Sequence, residues 1–238
     1  MGLRLTINAF KGIDRARFRA AFEEVVVRHG GRVSWDSSDP AAGDEVRMAH
    51  RDDVHTIYLA YPLDYLIPRS MARRLGSPWY ELRIQEGSHW DATLRLGDRE
   101  VDDFSTLPQY WDDDPAEIGR KKGNAAAVAR TWGVPVERIE RYLANWEIIE
   151  PENAWVRIRR HLAKWGLPLR NPERTHRQGK AYPTDRYEYG NYCQMEDYLF
   201  ALGGRMPMGK LRDNPSDPYY DGECHRFQPP SEATLKNE

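Results

Sequence analysis

The chemistry-bearing residues of this chain gather in one stretch, Glu86 to Asp114, EGSHWDATLRLGDREVDDFSTLPQYWDDD. His89 and Asp91 stand two apart. On a β-strand that spacing puts both side chains on one side, about 7 Å apart along the chain. An imidazole and a carboxylate can then meet one divalent cation, and such donors suit zinc, iron or manganese. Asp102 and Asp103 on the following arm are the remaining candidate ligands. The turn at Gly97-Asp98 decides which of them joins. A two-residue turn sets Thr93 opposite Asp102 and leaves Asp103 with the apolar Trp90, Leu94 and Leu96. A three-residue turn sets Phe104 opposite Ala92 and brings Asp103 to the His89 side, because one added residue reverses every side chain. A cation held there would lower the pKa of a bound water and make a metal-dependent hydrolase. The plain alternative is the solvated face of an ordinary hairpin. Beyond such a divalent metal no cofactor is expected.

The same stretch also carries residues of recognition. Trp90, Tyr110, Trp111, Asp112 and Asp113 form an expected acidic, aromatic surface, and Trp and Tyr are enriched among the residues that dominate protein interfaces. From Glu86 to Glu117 there are ten acidic and two basic residues, a net charge of −8. Such a surface fits a basic protein partner. The triple Asp also reads as a helix start: Asp114 caps, Pro115 takes the first helical position, and the acids sit at the positive end of the helix dipole.

Asn153 to Gly190 carries nine basic and three acidic residues, a net of +6. Opposite fields on one chain can neutralise each other or face different partners. In this basic segment Arg157, Arg160, Arg170, Arg174, Arg177 and Lys180 are candidates for holding an anionic ligand or single-stranded nucleic acid, with Tyr182, Tyr187, Tyr189 and Tyr192 following. Ala129, Gly133 and Ile139 have helix-turn-helix spacing. The segment after the turn carries Glu137, Arg138, Glu140 and Arg141, whose charges cancel, and DNA affinity rests on phosphate neutralisation. A packing corner of two helices is therefore the favoured reading. Cys193 and Cys224-His225, with His176, lack the paired close spacing of zinc sites.

The elements that must position these residues follow from periodicity. Leu3, Leu5, Ile7 and Ala9 alternate with polar residues as a half-buried strand. Asp14 caps a helix with Phe18, Phe22, Val25 and His29 at helical spacing and Ala21 filling the face, stopped by Gly30-Gly31. Strands are expected at Arg32–Trp35, Val54–Tyr61 and Trp79–Gln85, with a helix started by Pro68 and ended by Gly76. Helices are expected at about 115–132, 136–146, 152–165 and 194–202. The fold class is α+β: an N-terminal β-α-β and a mixed sheet of about five strands with a hairpin, then a small helical segment and an irregular C-terminal region. The expected divisions are 1–112, 113–166 and 167–238.

Composition sets the outer bounds. The chain has 238 residues, 40% hydrophobic and 11% aromatic, enough for a core. No apolar run is long enough to span a bilayer and no signal peptide is visible, so no membrane role is expected. Two cysteines fit a reducing compartment, so the expected location is cytoplasmic. The chain lacks a Gly-x-Gly-x-x-Gly fingerprint, a Walker loop, a Gly-x-Ser-x-Gly elbow and a His-Glu-x-x-His pair. The leading expectation is therefore a non-enzymatic protein that binds another protein. The metal-dependent hydrolase and nucleic-acid binding stand as alternatives.

Overall fold

The computed structural model of the chain describes residues 4–35, 44–110, 114–148, 174–175, 179–208, 217–220 and 222–229. The first strand, β1 (Leu5–Lys11), leads into helix α1 (Arg15–Arg28). Asp14 caps α1 by accepting a hydrogen bond from the Arg17 amide at 2.8 Å. Strands β2 (Arg32–Ser34), β3 (Asp44–Arg51) and β4 (Val54–Tyr58) follow, then helix α2 (Leu63–Leu75). Strands β5 (Pro78–Gln85), β6 (His89–Leu96) and β7 (Arg99–Ser105) form a meander. Helices α3 (Pro115–Arg120) and α4 (Ala125–Trp132) come next. A two-residue ladder joins β8 (Glu147–Ile148) to β9 (Arg174–Thr175). Helix α5 (Gln194–Ala201) and strand β10 (Glu223–Gln228) complete the described elements.

The main sheet has eight strands in the order β2-β10-β3-β4-β1-β5-β6-β7. Every pairing in it is antiparallel, so the fold is α+β as expected, but the sheet is larger than five strands and not mixed. Strands β3 and β10 were not anticipated. In β3 the inward residues Val46 and Met48 alternate with charged Glu45 and Arg47, a signal that the high charge masked.

Each face of the sheet carries a core. Phe10, Ile57, Met48, Trp79 and Phe227 pack beneath α1 and α2 on one side. Ile7, Ala9, Tyr80, Leu82, Trp90, Leu94 and Phe104 pack against α4 and α5 on the other. Each fully buried aliphatic or aromatic side chain contributes roughly 1.5–3 kcal/mol.

Three expectations about helices need correction. Helix α2 begins at Leu63, and Pro68 lies inside it rather than at its start. The span 115–132 is two helices, because Gly123 at φ 73° breaks the chain between them. The span 136–146 contains only a 3-10 turn, Val136–Arg138, among turns. Ile139 is buried and Gly133 adopts the left-handed conformation, as the spacing predicts, but no recognition helix follows them. The expected boundaries at 112 and 166 and the helix expected at 152–165 fall outside the described residues.

Candidate functional site

Beyond the cover of α1 and α2, the sheet face they pack on becomes polar. Cross-strand register sets Asn8 opposite Glu81, Glu81 opposite Thr93, and Thr93 opposite Asp103. The next row sets Thr6, Arg83, Asp91 and Ser105 side by side. Directly opposed residues share a face, so these eight form one floor across β1, β5, β6 and β7. Asn8, Glu81, Asp91, Thr93 and Ser105 are all buried.

Helix α2 fixes one margin of this floor through Pro68. A proline has no amide hydrogen, so the carbonyl four residues earlier, that of Asp64, loses its helical partner. The Asn8 side-chain amide donates to that carbonyl at 2.6 Å. This contact commits the nitrogen end of Asn8, and its Oδ1 is buried with no hydrogen-bond partner among the described residues.

Most charges on the floor are paired. Arg95 donates to Glu81 at 3.0 Å, and Lys121 donates to Asp103 at 2.6 Å. The Thr93 hydroxyl also donates to Asp103, at 3.1 Å. Arg83 is held only loosely, at 3.4 Å from Glu81 and 3.3 Å from the Thr93 hydroxyl. Charge-assisted pairs ordinarily close to about 2.7–2.9 Å. Its Nε is buried and unpartnered among the described residues. Asp91 is 4% exposed, and its Oδ1 is likewise buried without a partner. Burial pushes the Asp91 carboxyl upward, against the Ser105 hydroxyl, the Arg83 and Lys121 charges and the Gln85 side-chain amide, which draw it down. Arg83 and Asp91 are direct cross-strand partners, yet no ion pair joins them among the described residues. Nearly every buried polar atom in a folded protein finds a partner, so three orphans on one floor call for an explanation.

The candidate metal ligands divide between two faces. The turn at Gly97-Asp98 has two residues, with Leu96 opposite Arg99, but an irregularity between Leu94 and Arg95 then shifts the register. Phe104 therefore lies opposite Ala92, the arrangement expected of a three-residue turn, and Asp103 shares the face of His89 and Asp91. Asp102 lies opposite Leu94 on the apolar side. There it accepts a hydrogen bond at 2.7 Å from the amide of Asn124, the residue that caps α4. Burial is the main cause raising its carboxyl, to about 6. His89 meets the Ser88 hydroxyl at 2.8 Å and packs its ring on Tyr110. Among the described residues no three His, Cys, Asp or Glu side chains come together to hold a metal, so His89, Asp91, Asp102 and Asp103 do not converge.

The candidate interaction surface changes as well. Trp90 is wholly buried between Phe104 and Tyr198, because it sits on the core-facing side of β6. It cannot contact a partner. Tyr110 donates to Glu86, which Arg4 also binds at 3.1 Å. Trp111, Asp112 and Asp113 lie outside the described residues, and Asp114 caps α3 as expected. Much of the hairpin's acidity is matched from within. Arg69 and Arg73 bind Asp98, Arg95 approaches Glu100 at 3.8 Å, and Lys121 binds Asp103.

Of the basic candidates, Arg157, Arg160, Arg170 and Arg177 lie outside the described residues, as does His176. Arg174 is described only through the backbone of β9. Lys180 donates to the Asp185 carbonyl at 2.6 Å. Cys193 is half-buried before α5 and Cys224 is exposed on β10. They do not form a metal group with His225, whose ring approaches the Trp35 carbonyl and Arg19.

Sequence reading missed a histidine pair under α1. His55 Nε2 meets the Ile13 carbonyl at 2.7 Å, so that nitrogen carries the hydrogen. Its Nδ1, 2.9 Å from His50 Nδ1, must then accept, and His50 donates. Burial and the neighbouring His55, Arg15, Arg19 and His225 lower His50 to about 3. Register alone could have found it, since a two-residue turn at Asp52-Asp53 sets His50 opposite His55.

No protein-family model, curated protein or solved structure matches the chain, so the reading of its site rests on its own residues.

Proposed function

We propose that the protein binds a small polar molecule on the floor formed by Asn8, Arg83 and Asp91, within a surround of Glu81, Thr93, Asp103, Ser105 and Lys121. The observation that carries this reading is the set of buried, unpartnered atoms on adjacent strands: Asn8 Oδ1, Arg83 Nε and Asp91 Oδ1. Leaving a buried polar group unpaired costs about 1–3 kcal/mol, so a molecule that supplies the missing partners recovers that cost on binding. A buried carboxyl with a raised pKa among fixed charges is a recurrent mark of functional sites. A cytoplasmic location and action by binding remain part of the proposal.

The test is a thermal-denaturation screen of the full chain against amino acids, sugars, polyols and small amines. A ligand at about 100 times its Kd stabilises by roughly 2.7 kcal/mol. For a chain of this length that raises Tm by about 5–10 °C. The shift should vanish in Asp91→Asn. A screen with no saturable shift would refute the proposal.

One observation favours a second reading, docking of a protein partner: Tyr61 is 89% exposed at the entry to α2. Exposed Tyr is a common anchor at interfaces. Because the hairpin's acids are largely matched internally, the support for a basic partner is now limited to the aromatic contact. Affinity capture that returns the same partner with Tyr61→Ala as with the native chain would remove this reading.

A further inference from the structure

The pairing pattern on the floor also constrains the charge of its occupant. Arg95 neutralises Glu81 and Lys121 neutralises Asp103, both within ordinary ion-pair distance. When these pairs are set aside, one base and one acid are left on the four strands, Arg83 and Asp91, while the Asp64 carboxyl of α2, bonded to the Thr6 hydroxyl, stands near Arg83 at the margin. Arg83 and Asp91 are direct cross-strand partners, whose Cβ atoms lie about 4.5–5.5 Å apart. Each nevertheless keeps a buried atom with no partner among the described residues: a donor on Arg83 and an acceptor on Asp91. The floor thus presents a local dipole, with a cationic end seeking an acceptor and an anionic end seeking a donor.

We infer that the ligand is a zwitterion of the free α-amino-acid class, an inference that rests on the small-ligand reading above. Its carboxylate would accept from Arg83 Nε, and its ammonium would donate to Asp91 Oδ1. A neutral polyol can satisfy both atoms but gains nothing from the two charges. A simple anion meets only Arg83 and is repelled by Asp91, and a simple cation suffers the converse. Only a dipolar molecule matches both ends and leaves the floor's net charge unchanged. Such a carboxylate would compete only with long contacts of Arg83, those to Glu81 and Thr93 at 3.4 and 3.3 Å, and Glu81 keeps its firmer partner in Arg95. Asn8 Oδ1, on the strand on the other side of Arg83, offers an acceptor for a further donor along the ligand, as on a hydroxyl or amide side chain. A buried ammonium beside Asp91 would also hold that carboxyl ionised, against the burial that raises it.

The experiment is calorimetric titration of the full chain with glycine, L-serine and L-glutamine, with their N-acetyl and methyl-ester derivatives, and with glycerol and glucose. The expected result is saturable binding of at least one free amino acid. Blocking either end should weaken it by about 10–100-fold, since a hydrogen bond to a charged group contributes about 1.5–3 kcal/mol. Asp91→Asn and Arg83→Gln should weaken binding by a similar factor, with far-ultraviolet circular dichroism unchanged. Glu100→Gln, on the exposed part of β7, should bind as the native chain does. Binding of glycerol or glucose without binding of any amino acid would overturn the inference and leave the small-ligand site standing. Equal binding of free and blocked amino acids would overturn it in the same way. No binding of any probe, or binding that survives both floor substitutions, would overturn the inference and the site together.

Discussion

Replacing Asp102 by asparagine should stabilise the protein, and by an amount that grows with pH. Asp102 is 7% exposed on the apolar side of β7, and its carboxyl is raised from 3.8 to about 6. A raised carboxyl means that the folded state binds its proton more tightly than the unfolded state. The folded chain is therefore favoured at low pH and loses that advantage as pH rises from 3.8 through 6, after which the loss is constant. At 1.36 kcal/mol per pH unit the full loss is about 3 kcal/mol. Asparagine is nearly isosteric with the protonated acid, can still accept from the Asn124 amide, and does not ionise. Subtracting one chain from the other leaves linkage alone. The stabilisation conferred by Asp102→Asn should grow by about 2 kcal/mol between pH 4.5 and pH 8. Urea titrations followed by tryptophan fluorescence at five pH values would measure it. A difference between the two chains that stays constant within about 0.5 kcal/mol would refute the claim that Asp102 is held ionised against burial.

Three further outcomes follow from the same physics. His50, lowered to about 3, has the opposite sign: the unfolded state takes up the proton first, so stability falls as pH drops below 6.5. At pH 5 the loss is at most about 2 kcal/mol, nearer 1 kcal/mol after solvent screening of a half-buried ring, and His50→Gln should remove it in acid titrations. Gly123→Ala should destabilise by about 2–3 kcal/mol in urea titration, because the position needs φ 73° and an added Cβ would lie 2.9 Å from the Phe104 ring. Alkylation at pH 8 should modify Cys224 before Cys193, since Cys224 is exposed and burial pushes the Cys193 thiol up to about 11; equal rates by mass spectrometry would contradict this.

The elements legible in the sequence are those whose apolar period is undisturbed. The alternation in β1, the stripe of α1, the Asp114 cap and the Gly76 stop all stand where local chemistry puts them. The losses come from tertiary context. Strand β3 hid because half of its residues are charged, and β10 because it lies far along the chain from the strands it joins. The hairpin register turned on one irregular residue, which no turn rule at Gly97-Asp98 contains. Asp91 was singled out by its spacing from His89, but its real neighbours are Arg83 and Ser105 on flanking strands. Asn8 and Arg83 drew no notice, since an alternating polar residue on a strand ordinarily faces water.

Strand β10 has a consequence for synthesis. It occupies an interior place in the sheet, between β2 and β3, although residues 223–228 follow every other described strand in the sequence. Until they emerge, β3 presents a bare row of backbone donors and acceptors, and β2 has no neighbour to bind. A nascent chain stalled or cleaved before Glu223 would carry that open edge into solution, where another stalled copy can pair with it. Completion of the sheet, and with it protection from such pairing, waits until β10 has been made.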